Sequence, residues 1–238
     1  MASTRNPAAM EDGTQELTRL AIFDYDGTIV SGQSGLLISR YMFSLKLMKK
    51  RHVSCLIWWG IRYLLHLPHR EGEARELVFK GLSDEPPEEV DAFMREFHDA
   101  VLAPLYRPKA EAEVARCKAE GYPVLIVSAT FSMLADMAAE YLGADAAIAT
   151  VMERDEDGMY TGRVQGDVIE GKAKLTAIRR WADDRYGAGN WEISRAYADH
   201  YSDRDLLGSV AHPYAVCPDG LLRRYAKKRG WDILNWRA

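Results

Sequence analysis

Apolar positions along this chain recur with two different periods. Leu20-Ala21-Ile22-Phe23 and Val124-Leu125-Ile126-Val127 are short apolar runs of the kind that form strands buried on both faces, and another strand is expected at 194–198. Further short strands are expected at 146–150 and 213–216, and residues 152–164 carry Asp157-Gly158, a hairpin turn signal. Between these runs the period lengthens to that of helices, expected near 108–120, 131–142, 172–187, from 203, and over 219–229. One tract breaks the alternation. After the first strand come only helical patterns, near 35–50, 53–66, 70–81 and 87–102, punctuated by Pro68 and Pro86-Pro87. Strands alternating with helices imply an α/β chain with a doubly wound parallel sheet covered on both faces. The all-helical tract is then an insertion into that sheet. It is expected over the C-terminal edge, where open α/β sheets bind ligands. The division expected is a disordered tail at 1–17, a core of 18–34 and 104–238, and a helical subdomain at 35–103.

Composition changes this picture little. A chain of 238 residues can bury one large core or a core with an inserted subdomain. Its net charge of -4 gives no reason to expect nucleic acid or an anionic membrane as the main partner. The basic run Arg223, Arg224, Lys227, Lys228 and Arg229 has helical spacing and reads as a solvated face near a helix C-terminus. Cys55, Cys117 and Cys217 are odd in number and lack CxxC spacing, which excludes a disulfide framework and a zinc site. Each is expected as a small buried residue in a protein of the reducing cytoplasm. The first fifteen residues hold no apolar segment of the signal-peptide kind. The stretch VSCLIWWGIRYLLHL is shorter than the ~20 residues of a spanning helix and contains Arg62. It is expected to pack within the helical subdomain, with an interfacial helix as the alternative that Trp58-Trp59 keeps open.

Candidate chemistry clusters at the expected strand ends. Asp24-Tyr25-Asp26-Gly27-Thr28 follows the first strand, where alternation puts Asp24 and Asp26 on one face and turns Tyr25 away. A nucleophile and an acid/base so placed, followed by a tight turn and the Thr28 hydroxyl, suit work on a phosphate. Ser128-Ala129-Thr130 follows the second run, and a hydroxyl with backbone N–H groups at a helix start could clasp a phosphate. Lys172 heads a helix after Gly171 and could add fixed positive charge, with Lys174 a second lysine nearby. Asp199 and Asp203, four residues apart beyond the strand at 194–198, would suit an oxygen-liganded cation such as Mg²⁺. Carboxylate attack on a phosphate dianion needs charge neutralisation. Mg²⁺ on Asp24, a carbonyl near Asp26 and Asp199, together with Lys172, would supply it.

In this order of motifs the chain resembles the haloacid dehalogenase superfamily of phosphohydrolases, and most closely its phosphoserine-phosphatase-like branch with a helical cap inserted after the first motif. The resemblance runs from Leu20 to Trp236 and includes DEDGMYTGRVQG and CPDGLLRRYAKKRGWDILNW. It implies Asp24 as nucleophile, Asp26 as acid/base, Ser128 and Lys172 on the phosphate, Asp199 as a direct Mg²⁺ ligand and Asp203 behind it. Arg75 falls roughly where a cap arginine would reach the substrate, and Gln33 stands where an acid would hold a substrate ammonium. A neutral amide there demotes phosphoserine. His200-Tyr201 replaces the small residue usual after the metal-binding acid, so His200 either touches substrate or faces outward from its loop. The implied activity is Mg²⁺-dependent hydrolysis of a small phosphomonoester, such as histidinol phosphate or phosphoserine. The alternatives are a lipid or lysolipid phosphatase at a membrane surface, a phosphotransferase, and a non-catalytic binding protein on a phosphatase fold.

Overall fold

The computed structural model describes residues 17–47, 54–55, 58 and 72–237. The expected tail therefore lies outside the described residues, apart from Leu17. So does most of the helix expected over 53–66, of which Ser54, Cys55 and Trp58 are described and helical.

Seven strands form one sheet: β1 (Thr18–Phe23), β2 (Val124–Phe131), β3 (Ala146–Arg154), β4 (Tyr160–Gln165), β5 (Trp191–Ala198), β6 (His212–Val216) and β7 (Asp232–Leu234). Their spatial order is β4-β3-β2-β1-β5-β6-β7. Every neighbouring pair is parallel except β3 with β4, the hairpin announced by Asp157-Gly158. The chain thus builds outwards from β1 to one side, returns, and builds to the other. Strand order reverses at β1, the kind of crevice in which doubly wound sheets take ligands. The short edge strand β7 carries no long apolar run, and its pattern gave no forewarning.

Helices cover both faces, and the alternation along the strands shows why. Leu20, Ile22, Leu125 and Val127 pack on one side against Ile178 and Ala182 of α6 (Lys172–Tyr186), Leu206 and Leu207 of α7 (Arg204–Leu207), and Leu222 and Ala226 of α8 (Gly220–Arg229). Ala21, Phe23, Val124 and Ile126 face the other way, into a cluster with Val114 of α4 (Pro108–Ala119) and Leu134 of α5 (Ser132–Leu142). On that side Tyr197 of β5 stacks 4.2 Å from Phe23 and 4.7 Å from Tyr214, a row of rings that ties β1, β5 and β6 together.

Between β1 and α4 the described residues are all-helical in their regular structure, with α1 (Ser34–Ser44), α2 (Glu73–Phe79) and α3 (Pro87–Phe97), the last running into a π-helical turn at His98–Leu102 and a 3-10 turn at Ala103–Leu105. The expected helix over 35–50 stops at Ser44, and that over 70–81 covers only 73–79. The insertion does not stand apart from the sheet. Phe79 of α2 is fully buried, 5.3 Å from Phe131 of β2 and 4.9 Å from Tyr160 of β4. The hairpin β3–β4 therefore serves as the floor on which the insertion packs. Of the three cysteines only Cys117 is buried. Cys55 is exposed and Cys217 intermediate, contrary to the expectation that all three are buried; Cys217 still packs against the core at its edge. Among the described residues no helix is long and apolar enough to cross a membrane.

Candidate active site

Three neighbouring strands, β1, β2 and β5, bring their C-terminal ends together. Asp24 follows β1 directly, and its backbone N–H donates to Tyr197 O at 2.9 Å, fixing the carboxylate at the sheet edge. Tyr25 turns into the core, fully buried with its hydroxyl 3.4 Å from that of Tyr106, while Asp24 and Asp26 stay at the edge as strand alternation requires. Gly27 then turns the chain with φ +75, and a Cβ there would run into Asp199 Oδ2. Only glycine lets the first loop lie against the carboxylate that ends β5.

The lysine of the site is Lys174, not Lys172. Lys174 Nζ donates to Asp24 Oδ1 at 2.6 Å and to Asp203 Oδ2 at 2.9 Å, and it is buried. Lys172 begins α6 and is exposed. Two residues along a helix do not share a face, so only one of this pair could reach Asp24. The turn at Gly171 delivers the second of them.

Asp26 is held from the insertion side. Its two carboxylate oxygens accept the backbone N–H of Ser34 at 2.7 Å and the Ser34 hydroxyl at 2.8 Å. Ser34 Oγ lies 2.7 Å from Thr130 Oγ1, and Thr130 N–H donates to Ser128 Oγ at 3.1 Å. Ser34 opens α1, so the same carboxylate also satisfies one of the orphan N–H groups at the start of that helix. Ser34 was not foreseen, and Thr130 was expected only within the Ser128-Ala129-Thr130 run and not beside Ser34 and Asp26. A serine eight residues beyond an acid carries no sequence signal, since their meeting depends on how the loop folds back. Gln33 precedes α1 and is exposed, with no side-chain hydrogen bond to the helix end.

Ser128-Ala129-Thr130 does not follow its strand but lies inside it, in an irregularity where Ser128 pairs with Ala149 and Phe131 already pairs with Thr150. Two extra residues bulge out, and Ser128 is buried beneath them. The carbonyl of Ala129 accepts the Thr150 hydroxyl at 3.1 Å and Arg75 Nε at 2.5 Å. Arg75, on α2, therefore reaches the sheet edge from the insertion, where its guanidinium lies 3.8 Å from the Glu170 carboxylate.

Acidic charge dominates the site. Burial pushes Asp24 up to about 7, a rise that Lys174 opposes and Asp203 and Asp26 reinforce. Burial likewise pushes Asp199 up to about 8, with Asp24 and Asp203 adding to the rise. Asp26 is raised by burial, while Ser34 and, after it, the Arg75 and Lys174 charges pull the other way. Lys174 is itself raised: its burial opposes the charge, but Asp203 and Asp24 more than offset that. One lysine among four carboxylates leaves the cluster short of positive charge. Asp199 Oδ1, Asp203 Oδ1 and Thr28 Oγ1 are buried without a hydrogen-bond partner in the structure, a costly state unless something else approaches them. Asp24 and Asp199 fit a Mg²⁺ ion, which needs only one or two carboxylates and completes its shell with water and substrate oxygens. Among the described residues no three acidic, histidine or cysteine side chains form a cage of their own. Asp203 has its Oδ2 committed to Lys174, so it is less available to such an ion than Asp24 and Asp199. His200 turns its ring nitrogens to Ser202 Oγ at 2.9 Å and towards Asp219 at 3.6 Å, staying within its own half-exposed loop.

Known proteins bear the same stamp. The model of the haloacid dehalogenase-like hydrolases matches residues 21–208. Phosphoserine phosphatase SerB1 of Mycobacterium tuberculosis is 30% identical over 227 residues, which cover 93% of this chain and 72% of that protein. A histidinol-phosphatase of Neisseria meningitidis is 27% identical over 93% of this chain and all of its own length. A Bordetella pertussis protein of unknown function has a solved structure that superposes with a TM-score of 0.83 at 28% identity, over 93% of this chain and 100% of that one. With Asp24, Ser128, Lys174 and Asp199 gathered at one edge of this sheet, the chain belongs to the haloacid dehalogenase-like hydrolases and is phosphoserine-phosphatase-like among them.

Proposed function

We propose that this phosphatase hydrolyses small phosphomonoesters through a phosphorylated Asp24, with Mg²⁺ as cofactor and the helical insertion acting as a cap over the site. The observation that carries the reading is the buried Lys174–Asp24 contact at 2.6 Å beside Asp26. It pairs a positioned carboxylate with a fixed cation and an acid/base within one loop. Asp24 attacks phosphorus, and the bond to the leaving alcohol oxygen breaks. Asp26, whose raised pKa favours its holding a proton, protonates that oxygen. Asp26 then takes a proton from water as the water oxygen bonds to phosphorus, and the bond to Asp24 breaks to regenerate the carboxylate. Ser128 and Lys174 hold the phosphoryl oxygens, with Thr28 and the backbone at Ala129 on the same side of the site. Mg²⁺ on Asp24, Asp199 and a backbone carbonyl at Asp26 would neutralise the repulsion between carboxylate and phosphate. Asp203 keeps Lys174 charged and in place.

Phosphate release from a panel of phosphomonoesters tests this, with phosphoserine, histidinol phosphate, lysophosphatidate and an aryl phosphate among them. Turnover that needs Mg²⁺, stops with EDTA and disappears in Asp24→Asn is the expected result. Undiminished turnover in Asp24→Asn, by a protein whose circular dichroism matches the wild type, would remove Asp24 as nucleophile.

A further inference from the structure

The segment that follows β7 runs back to the loop that carries Asp24 and Asp26, and Arg107 joins the two. Arg107 stands just before Pro108, which opens α4, and its backbone N–H donates to Ile29 O at 2.9 Å. That bond seats the side chain beside the turn at Gly27. The guanidinium spans two backbone carbonyls: Nη2 donates to Gly27 O and Nη1 to Trp236 O, each at 3.3 Å. Lys109, two residues on, reaches the same segment through Asn235 O at 3.0 Å.

Trp236 holds the other side of the loop. Its buried ring stacks 5.8 Å from Tyr197, and its backbone N–H donates to Cys217 Sγ at 3.2 Å. The carbonyl of Tyr197 accepts Asp24 N–H, and its ring stacks on Phe23, the last residue of β1. The segment therefore grips the loop before Asp24 through Tyr197 and after Asp26 through Arg107. Packing alone does not call for a guanidinium here. Arg107 Nε is buried with no hydrogen-bond partner among the described residues, a cost that a methionine of similar length would not carry. What an arginine adds is a planar fork that holds two carbonyls at once. Gly27 is where such a hold bears on chemistry, because its turn lies directly against the Asp199 carboxylate.

We infer that Arg107 is a positioning residue, clamping loop 24–28 to segment 235–237 so that Asp24 and Asp26 keep their places beside Asp199. This rests on the phosphatase reading above and adds to it a residue outside the ring of acids. A loop that carries both the attacking carboxylate and the acid/base loses rate steeply when it shifts, since about 1 Å of misplacement can cost on the order of 10²-fold. Substrate affinity, set by groups that Arg107 does not touch, changes little. A lysine in its place supplies the charge without the fork and reaches one carbonyl only.

The test is steady-state kinetics on p-nitrophenyl phosphate with Mg²⁺, in the wild type, Arg107→Met and Arg107→Lys, with a melting temperature for each. Expected in Arg107→Met is a fall in kcat of about tenfold or more with KM within about threefold of the wild type, and in Arg107→Lys a smaller fall. Wild-type kcat in either variant, whatever its melting temperature, reduces Arg107 to a stabilising contact and overturns the assignment. So does a rise in KM that accounts for the whole loss of kcat/KM, which would make Arg107 a substrate-binding group. Should Arg107→Met fail to fold, Arg107→Lys decides alone: a lowered kcat at wild-type KM supports the clamp. If the wild type turns over no phosphomonoester of the panel above, the hydrolase reading fails and the clamp with it. If the wild type is active and the Arg107 variants match it, only the clamp fails.

Discussion

Lys174 and Lys172 show how much depends on one step along a helix. Lys174 Nζ stands between Asp24 and Asp203, in a site buried enough that each of these charges needs the others. A cation fixed in this way stabilises charge that grows on phosphoryl oxygens without having to reorganise. Lys174→Met is therefore expected to lower kcat by about 10²–10³-fold, the usual loss for one such group. Lys172→Met, at an exposed position, should leave kcat within about twofold by the same standard. Steady-state kinetics on an aryl phosphate checks both, and equal losses in the two variants would contradict the placement. Both lysines were visible in the sequence. Choosing between them needed the direction in which α6 leaves Gly171.

At the scale of elements, loops are fixed to helix ends by side chains serving two purposes. Asp219 is the clearest case. Its Oδ1 accepts the N–H groups of Leu221 and Leu222 at 2.7 Å, capping α8, while Oδ2 accepts Tyr201 N–H at 2.8 Å. Its own N–H donates to Asp199 O at 2.9 Å. The cap of α8 and the backbone of Asp199 are thus one hydrogen-bonded unit. Asp219→Ala should cost about 1–2 kcal/mol of stability, typical of a lost N-cap, and Asp219→Asn should fall between Asp219→Ala and the wild type, because its one accepting oxygen can keep the cap while its NH2 cannot accept Tyr201 N–H. Urea denaturation followed by circular dichroism measures the difference, and indistinguishable midpoints for the two variants would refute the double role. The Asp26–Ser34 pair works in the same manner at the start of α1. The helical periodicity of 35–50 and 219–229 was legible from apolar spacing, but which acid caps which helix was not.

For the molecule as a whole, the surplus of buried carboxylates couples stability to pH and to metal. Asp24 at about 7 and Asp199 at about 8 both lie above their ordinary value of 3.8. Between the unfolded and folded values the native state holds protons that the unfolded chain has already released, so stability falls as pH rises through that window. The loss is complete only above the folded values. Bound Mg²⁺ favours the charged carboxylates and so cancels part of it. The melting temperature in EDTA should therefore drop between about pH 5 and about pH 8.5, and saturating Mg²⁺ should raise it most at the alkaline end. Melting curves with and without Mg²⁺ check this, and parallel pH slopes in the two series would argue against a metal on these acids.

The apolar runs and their alternation with helical periods were enough, by themselves, to specify a doubly wound sheet, because strands buried on both faces and amphipathic helices leave few other ways to hide their apolar sides. The same pattern placed Asp24, Ser128 and Asp199 at neighbouring strand ends. Tertiary structure alone decided the rest. It set Lys174 rather than Lys172 on Asp24, drew Ser34 and Thr130 around Asp26, put Ser128 in a bulge inside β2, and brought Arg75 to Glu170 across 94 intervening residues. Each of those contacts joins residues whose separation along the chain says nothing of their distance. They exist because the packing of Phe79 on β2 and β4, and the turns at Gly27 and Gly171, fix directions that periodicity does not encode.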